Sequence, residues 1–204
     1  MHISEGVLTI PVLVGGGLIT AAGTVIGLKK IDYDQVMTIG LFSSAFFIAS
    51  FIHVPMGPTS VHLLLNGLLG LILGWAAFPA ILAALFLQAV LFQYGGIIVL
   101  GANTVIMCLP AVIVGLLLKP GIQTNGKKRL LVSFAAGFLA VLGSSLFMAA
   151  ALVLSNEGFQ TASYLLVLWN LPIATLEGII TMFTVSFLAR VQPEILAFSL
   201  DKQS

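Results

Sequence analysis

The first two residues of this 204-residue chain place three nitrogens side by side: the α-amine of Met1, the amide nitrogen of His2 and the His2 imidazole. Together they close a five- and a six-membered chelate ring around one cation, a donor set suited to a transition metal. The other two histidines bracket the segment His53-Val-Pro-Met-Gly-Pro-Thr-Ser-Val-His62. Adding the His62 imidazole completes a planar set of four nitrogens, the coordination that Ni(II) and Cu(II) favour. Binding through the amide nitrogen requires loss of its proton, which Ni(II) promotes better than more labile ions. His53 is the alternative fourth ligand, ranked lower because it precedes the turn, where it caps or packs. The bulky His2 is expected to leave Met1 in place, since removal of the initiator prefers a small second residue.

The remaining polar residues inside apolar sequence have fewer options. Glu177 lies near the middle of the last apolar stretch, where an ionised carboxylate is costly and is paired or functional. It is expected to bind a helix terminus, to hold loop residues near the metal, or to be protonated. Asn103 is expected to cap a helix or to orient His2 from behind. Gln88 and Asn170 are expected to bond between helices, and Cys108, the single cysteine, reads as a small buried hydrophobe. Gly121-Ile-Gln-Thr-Asn-Gly126-Lys127-Lys128 approaches a phosphate-binding loop, but Lys128 stands where a magnesium-holding Ser or Thr belongs and no parallel strand precedes it. It reads as a basic inter-helix loop, so the sequence shows no ATP-hydrolysing machinery.

These residues must be positioned by membrane helices. Hydrophobic residues make up 59% of the chain and charged residues 7%, against roughly 25% charged in soluble domains. The composition gives an all-α integral membrane protein: an N-terminal segment over 1–7, a helical bundle over 8–190 and a tail over 191–204. Clear spans are Leu8–Leu28, Val36–Val54, Ile97–Leu118, Leu130–Leu154 and Tyr164–Leu188. Between Val61 and Phe92 lies one long stretch or two short ones broken at Gly74-Trp75. Charge decides: with two, all eight Lys and Arg residues fall on one side. The expectation is therefore seven transmembrane helices, N-terminus outside and C-terminus cytoplasmic. Glu5 in place of a basic leader argues against a cleaved signal peptide. His62 is expected in the first turn of the third helix, capped by Thr59 or Ser60, so that all three histidines meet at the outer face. Gly23/Gly27 and Gly70/Gly74 are candidate close-packing pairs, and Gly15-Gly16-Gly17 marks a flexible or tightly packed stretch.

Several spaced motifs then align with one family. Met-His-Ile-Ser-Glu-Gly at the start, Gly57-Pro-Thr-Ser-Val-His62-Leu with Asn66-Gly67, Gln93-Tyr-Gly-Gly96, Gly101-Ala-Asn103 and Leu176-Glu177-Gly178 occur in order along the whole chain. The sequence resembles the CbiM/NikM family, the substrate-binding component of energy-coupling-factor cobalt and nickel importers. The resemblance implies a seven-helix bundle whose N-terminal segment folds back into the outer mouth, with metal ligands at Met1, His2 and His62. It implies partners as well: two ATP-binding-cassette ATPases, a transmembrane coupling protein and often a small accessory membrane protein, in a bacterial or archaeal plasma membrane. Co2+ or Ni2+ would be transported substrate, with no cofactor and no nucleic acid. Pro58 stands where many nickel-type members carry a second glycine, and the Ser- and Cys-containing loop of many cobalt-type members is absent, so both metals stay open. A stand-alone secondary transporter or channel would need a polar path that the inner halves of the helices do not supply. A membrane metallohydrolase would need an acid or base beside an open metal position, for which Glu5 is the only obvious outer-face candidate near His2.

Overall fold

The computed structural model describes residues 3–56, 59–124 and 126–197. Its elements are α1 (Ile10–Lys29), α2 (Val36–Ala49), a hairpin of β1 (His53–Met56) and β2 (Thr59–His62), α3 (Asn66–Leu73), α4 (Ala77–Phe92), α5 (Leu100–Ile122), α6 (Lys127–Ser155), α7 (Gln160–Val191) and the short α8 (Pro193–Ala197). Five described stretches are long and apolar enough to cross a membrane: α1, the Asn66–Phe92 run, α5, α6 and the Glu157–Val191 run. The turns between them follow local chemistry. Pro11 sits in the first turn of α1, where its missing N–H costs nothing. Asp32 and Gln35 form a capping box ahead of α2.

The break expected at Gly74-Trp75 is present. Gly74 adopts φ 55° and ψ −126°, a conformation that glycine takes without a Cβ penalty, and a single turn over Gly74–Ala76 separates α3 from α4. The two helices run in opposite directions. Asn66 bonds the Met107 carbonyl and Ile72 accepts from Lys119, so α3 descends alongside α5. α4 climbs back beside α2, tied through Ser43 to the Ala80 carbonyl and Gln88 to Ser50. Every residue of α3 is buried, because it forms the axis of the bundle. Glycines permit that. Gly70 and Gly115 bring the backbones of α3 and α5 into direct contact, and a Cβ on Gly67 would lie 2.7 Å from the Ala136 carbonyl oxygen.

Elsewhere the glycines divide by role. Gly23 and Gly27 receive Phe78 and Trp75 with Pro79, docking α1 on the turn before α4. Gly16 and Gly17 meet Ala102 and Gly101, so the triple glycine is a close-packed crossing, with Gly15 facing open space. Gly74 serves as a break and not as a packing partner to Gly70. α6 and α7 form the broadest helix pair, with Gly137 against the Glu177 backbone and Gly178 against Phe134.

Three expectations need correction. The second helix stops at Ala49, short of Val54, because the chain turns into the hairpin. His62 lies at the end of β2 and not in a helix turn: Leu65 takes φ 53°, which interrupts any helix before Asn66. Asn170 bonds the Leu166 carbonyl of its own helix, whereas Gln88 does bond across to Ser50.

Candidate metal centre

Among the described residues no group of three His, Cys, Asp or Glu side chains converges. Met1 and His2 lie outside the described residues, so the centre is approached through what holds their neighbour, Ile3, and through His62.

Ile3 is fixed from both sides of its backbone. Its N–H donates to Asn103 Oδ1 at 3.0 Å, and Asn103 Nδ2 donates to its carbonyl oxygen, also at 3.0 Å. A side-chain amide is the one group that matches a peptide's donor and acceptor together. The Ile3 side chain is buried against Leu8, Ala102, Ile106, Ala151 and Leu152. Beyond it, Glu5 accepts from the Ile98 N–H at 3.0 Å, and the Thr9 N–H donates to Ser155. The Gln93-Tyr-Gly-Gly96 motif explains itself here. Gln93 (φ 57°) ends α4, Gly95 and Gly96 take positive φ, and a Cβ on Gly96 would collide with the Glu5 carboxylate.

His62 is held from the other side. Its partner across the hairpin register is His53, which brings the two histidine backbones opposite each other. The place of His53 before the turn does not reveal this pairing, which the hairpin register alone creates. The His62 ring is buried, and Nδ1 lies 3.0 Å from the Leu63 carbonyl oxygen. In the tautomer that donates Nδ1–H to Leu63, Nε2 is the Lewis-basic nitrogen. Burial pushes the imidazole below its ordinary pKa, with the Leu63 contact opposing, so the neutral, metal-binding form is favoured at neutral pH.

The turn after His62 depends on Glu177. The buried carboxylate reaches across from α7 and accepts the Leu64 and Leu65 amides, the latter with both oxygens at 3.0 Å. Of the roles open to Glu177, loop holding is the one observed. Asn66, noted in sequence only as part of a motif, completes the support: it donates to the Met107 carbonyl at 3.1 Å and to Ser144, which the sequence did not single out, at 2.8 Å. Asn103 and Met107 are one turn apart on α5, about 6 Å along one face. The anchor of the N-terminal segment and the anchor of the segment after His62 therefore share that face. Lys119, one residue past the expected Ile97–Leu118 span, is buried, with Nζ 3.3 Å from the Ile72 carbonyl at the end of α3. Nothing in its sequence surroundings signals that.

Comparison with known proteins gives a family and a fold. Residues 2–195 match the family CbiM, described as the cobalt uptake substrate-specific transmembrane region. A protein of Haemophilus influenzae named for metal transport is 40% identical over 199 residues, 96% of this chain and 97% of that one. The fused nickel transport protein NikMN of Rhodobacter capsulatus is 28% identical over 230 residues, covering 97% of this chain and 64% of the relative. The crystal structure of a truncated transition metal transporter superposes with a TM-score of 0.80 at 27% identity, over 94% of this chain and 99% of that one.

Proposed function

We propose, from the premise that this chain belongs to the CbiM family of cobalt-uptake membrane proteins, that it captures Co2+ or Ni2+ from outside the cell for an ATP-driven importer. The chain is a multi-pass membrane protein and a transport component, not an enzyme. In this reading the ligands are the Met1 amine, the His2 amide nitrogen and imidazole, and the His62 imidazole. The observation that supports it most directly is the shared face of α5: Ile3 is pinned at Asn103, one turn from where Asn66 is pinned at Met107. Residues 1–2 and His62 each stand a few positions from those anchors.

The reading counts seven crossings, with α3 and α4 as separate passes. It takes the Ile3–Asn103 end as outside and the end carrying Lys29, Lys119, Lys127 and Arg190 as cytoplasmic. The segment over 1–7 encloses the ion, which exchanges water for nitrogen donors. Release and energy come from partners: two ATP-binding-cassette ATPases and a transmembrane coupling protein, joined in some assemblies by a small accessory membrane protein. The fused relative, longer than this chain, supports a multi-subunit assembly.

The test is metal content of purified protein. Wild type retains Ni2+ or Co2+, while His2→Ala, His62→Ala and an unprocessed one-residue N-terminal extension lose it without loss of thermal stability. Full occupancy in the extended protein overturns the amine-ligand assignment. Concentrative uptake by this subunit without ATPases overturns the division of labour.

A further inference from the structure

Glu177 and His62 act on opposite ends of one peptide unit. The Leu63 carbonyl oxygen lies 3.0 Å from His62 Nδ1, and the N–H on the other side of the same peptide, that of Leu64, donates to Glu177. The next N–H, of Leu65, also donates to Glu177. A peptide plane is rigid, so fixing its N–H fixes the direction of its carbonyl. Donation to a carboxylate also polarises the peptide and makes that carbonyl a stronger acceptor. Leu65 takes φ 53° and its own side chain offers no cap to α3; Asn66 Oδ1 accepts from the Gly67 N–H, and the Leu64 and Leu65 amides are left to Glu177.

We propose that Glu177 is the positioning residue of the metal site: through the Leu63–Leu64 peptide it fixes the tautomer and orientation of the His62 imidazole. The arrangement is a carboxylate–histidine pair with a peptide inserted between its members. In metal sites such outer partners orient the ring and raise its basicity. The proposal rests on His62 being a ligand. Reach matters more than charge here, because Oε1 accepts both amides, while Oε2 adds a second contact to Leu65 alone. Glutamine turned with its oxygen at the Oε1 position keeps the Leu64 bond that fixes the peptide and gives up only the Oε2 contact; aspartate keeps the charge but withdraws both oxygens by a methylene.

The experiment compares wild type, Glu177→Gln and Glu177→Asp in two readouts. The first is the tautomer of His62 in metal-free protein, read from imidazole 15N shifts; the second is Ni2+ affinity. Wild type and Glu177→Gln show the Nδ1–H tautomer and bind Ni2+ within about threefold of each other. Glu177→Asp shows mixed tautomers and binds at least about tenfold more weakly, in the range typical of a lost outer partner. Aspartate matching wild type, or glutamine falling with aspartate, overturns the proposal. So does an Nε2–H tautomer in the wild-type protein, whatever the variants do. Failure of wild type to bind metal sinks the functional reading instead and leaves the tautomer comparison standing.

Discussion

Replacing Asn103 with alanine isolates the docking of the N-terminal segment from the ligands themselves. The substitution removes two buried hydrogen bonds, each 3.0 Å, from the Ile3 backbone and touches no donor nitrogen. At about 0.5–1.5 kcal/mol net for each bond, docking weakens by about 1–3 kcal/mol. Every 1.4 kcal/mol is about tenfold in an equilibrium, so the docked population falls by at most about 5- to 150-fold. Apparent metal affinity falls by the same factor once the undocked form dominates, because only the docked form presents the ligands. Burial of Ile3 and Leu8 persists and still favours docking. The expected loss is therefore near the middle of that range, about tenfold to thirtyfold. Calorimetric Ni2+ titration of purified protein measures it, with the metal-free melting temperature as control. Ser43→Ala, which loses the bond to the Ala80 carbonyl away from the mouth, serves as the comparison and should bind normally. If Asn103→Ala binds within twofold of wild type while His62→Ala does not bind, docking of Ile3 is no part of the site and the reasoning fails.

Gly96→Ala should weaken metal binding about tenfold, since φ 123° strains any side chain and the new Cβ meets the Glu5 carboxylate; Glu5→Ala in the same chain should restore part of the loss by titration. Gly70→Ala should prevent accumulation of folded protein, because its Cβ meets the Ala111 backbone, while Gly15→Ala and Gly40→Ala, with nothing within 4 Å, should leave the melting temperature unchanged or slightly raised. Acidification has a defined sign: the His62 pKa is lowered on folding, so its contribution to stability is present above the unfolded value of 6.5 and is lost as pH falls below it. Thermal melts between about pH 8 and pH 5 should show a smaller pH dependence in His62→Ala than in wild type.

Composition and charge made the helices legible, and the break at Gly74-Trp75 was readable because glycine interrupts an otherwise continuous apolar run. Asn103 was readable as a residue that works near the chain start, and its observed partner there is the Ile3 backbone. The hairpin was not readable. Its turn residues suggested a cap from Thr59 or Ser60, while the Leu64 and Leu65 amides are in fact satisfied by Glu177, 113 residues away from Leu64. Local propensity carries no trace of so distant an acceptor. Lys119 was illegible for the same reason: its carbonyl partner, Ile72, is brought to it only by the packing of α3.

The shortness of α3 has a consequence for how the molecule is made. Eight residues rise about 12 Å, under half of a hydrocarbon layer about 30 Å thick. The nascent stretch Asn66–Phe92, at 27 residues, is by contrast ample for one ordinary insertion event. In the proposed orientation, insertion that way would reverse every later segment and carry Lys127, Lys128 and Arg129 across the bilayer, against the positive-inside rule. α5 and α6 supply the backbone surfaces that meet Gly70 and Gly67. In the proposed seven-pass topology α3 therefore depends on helices that follow it in the chain: its packing partners, Ala111 of α5 and Ala136 of α6, are synthesised after it.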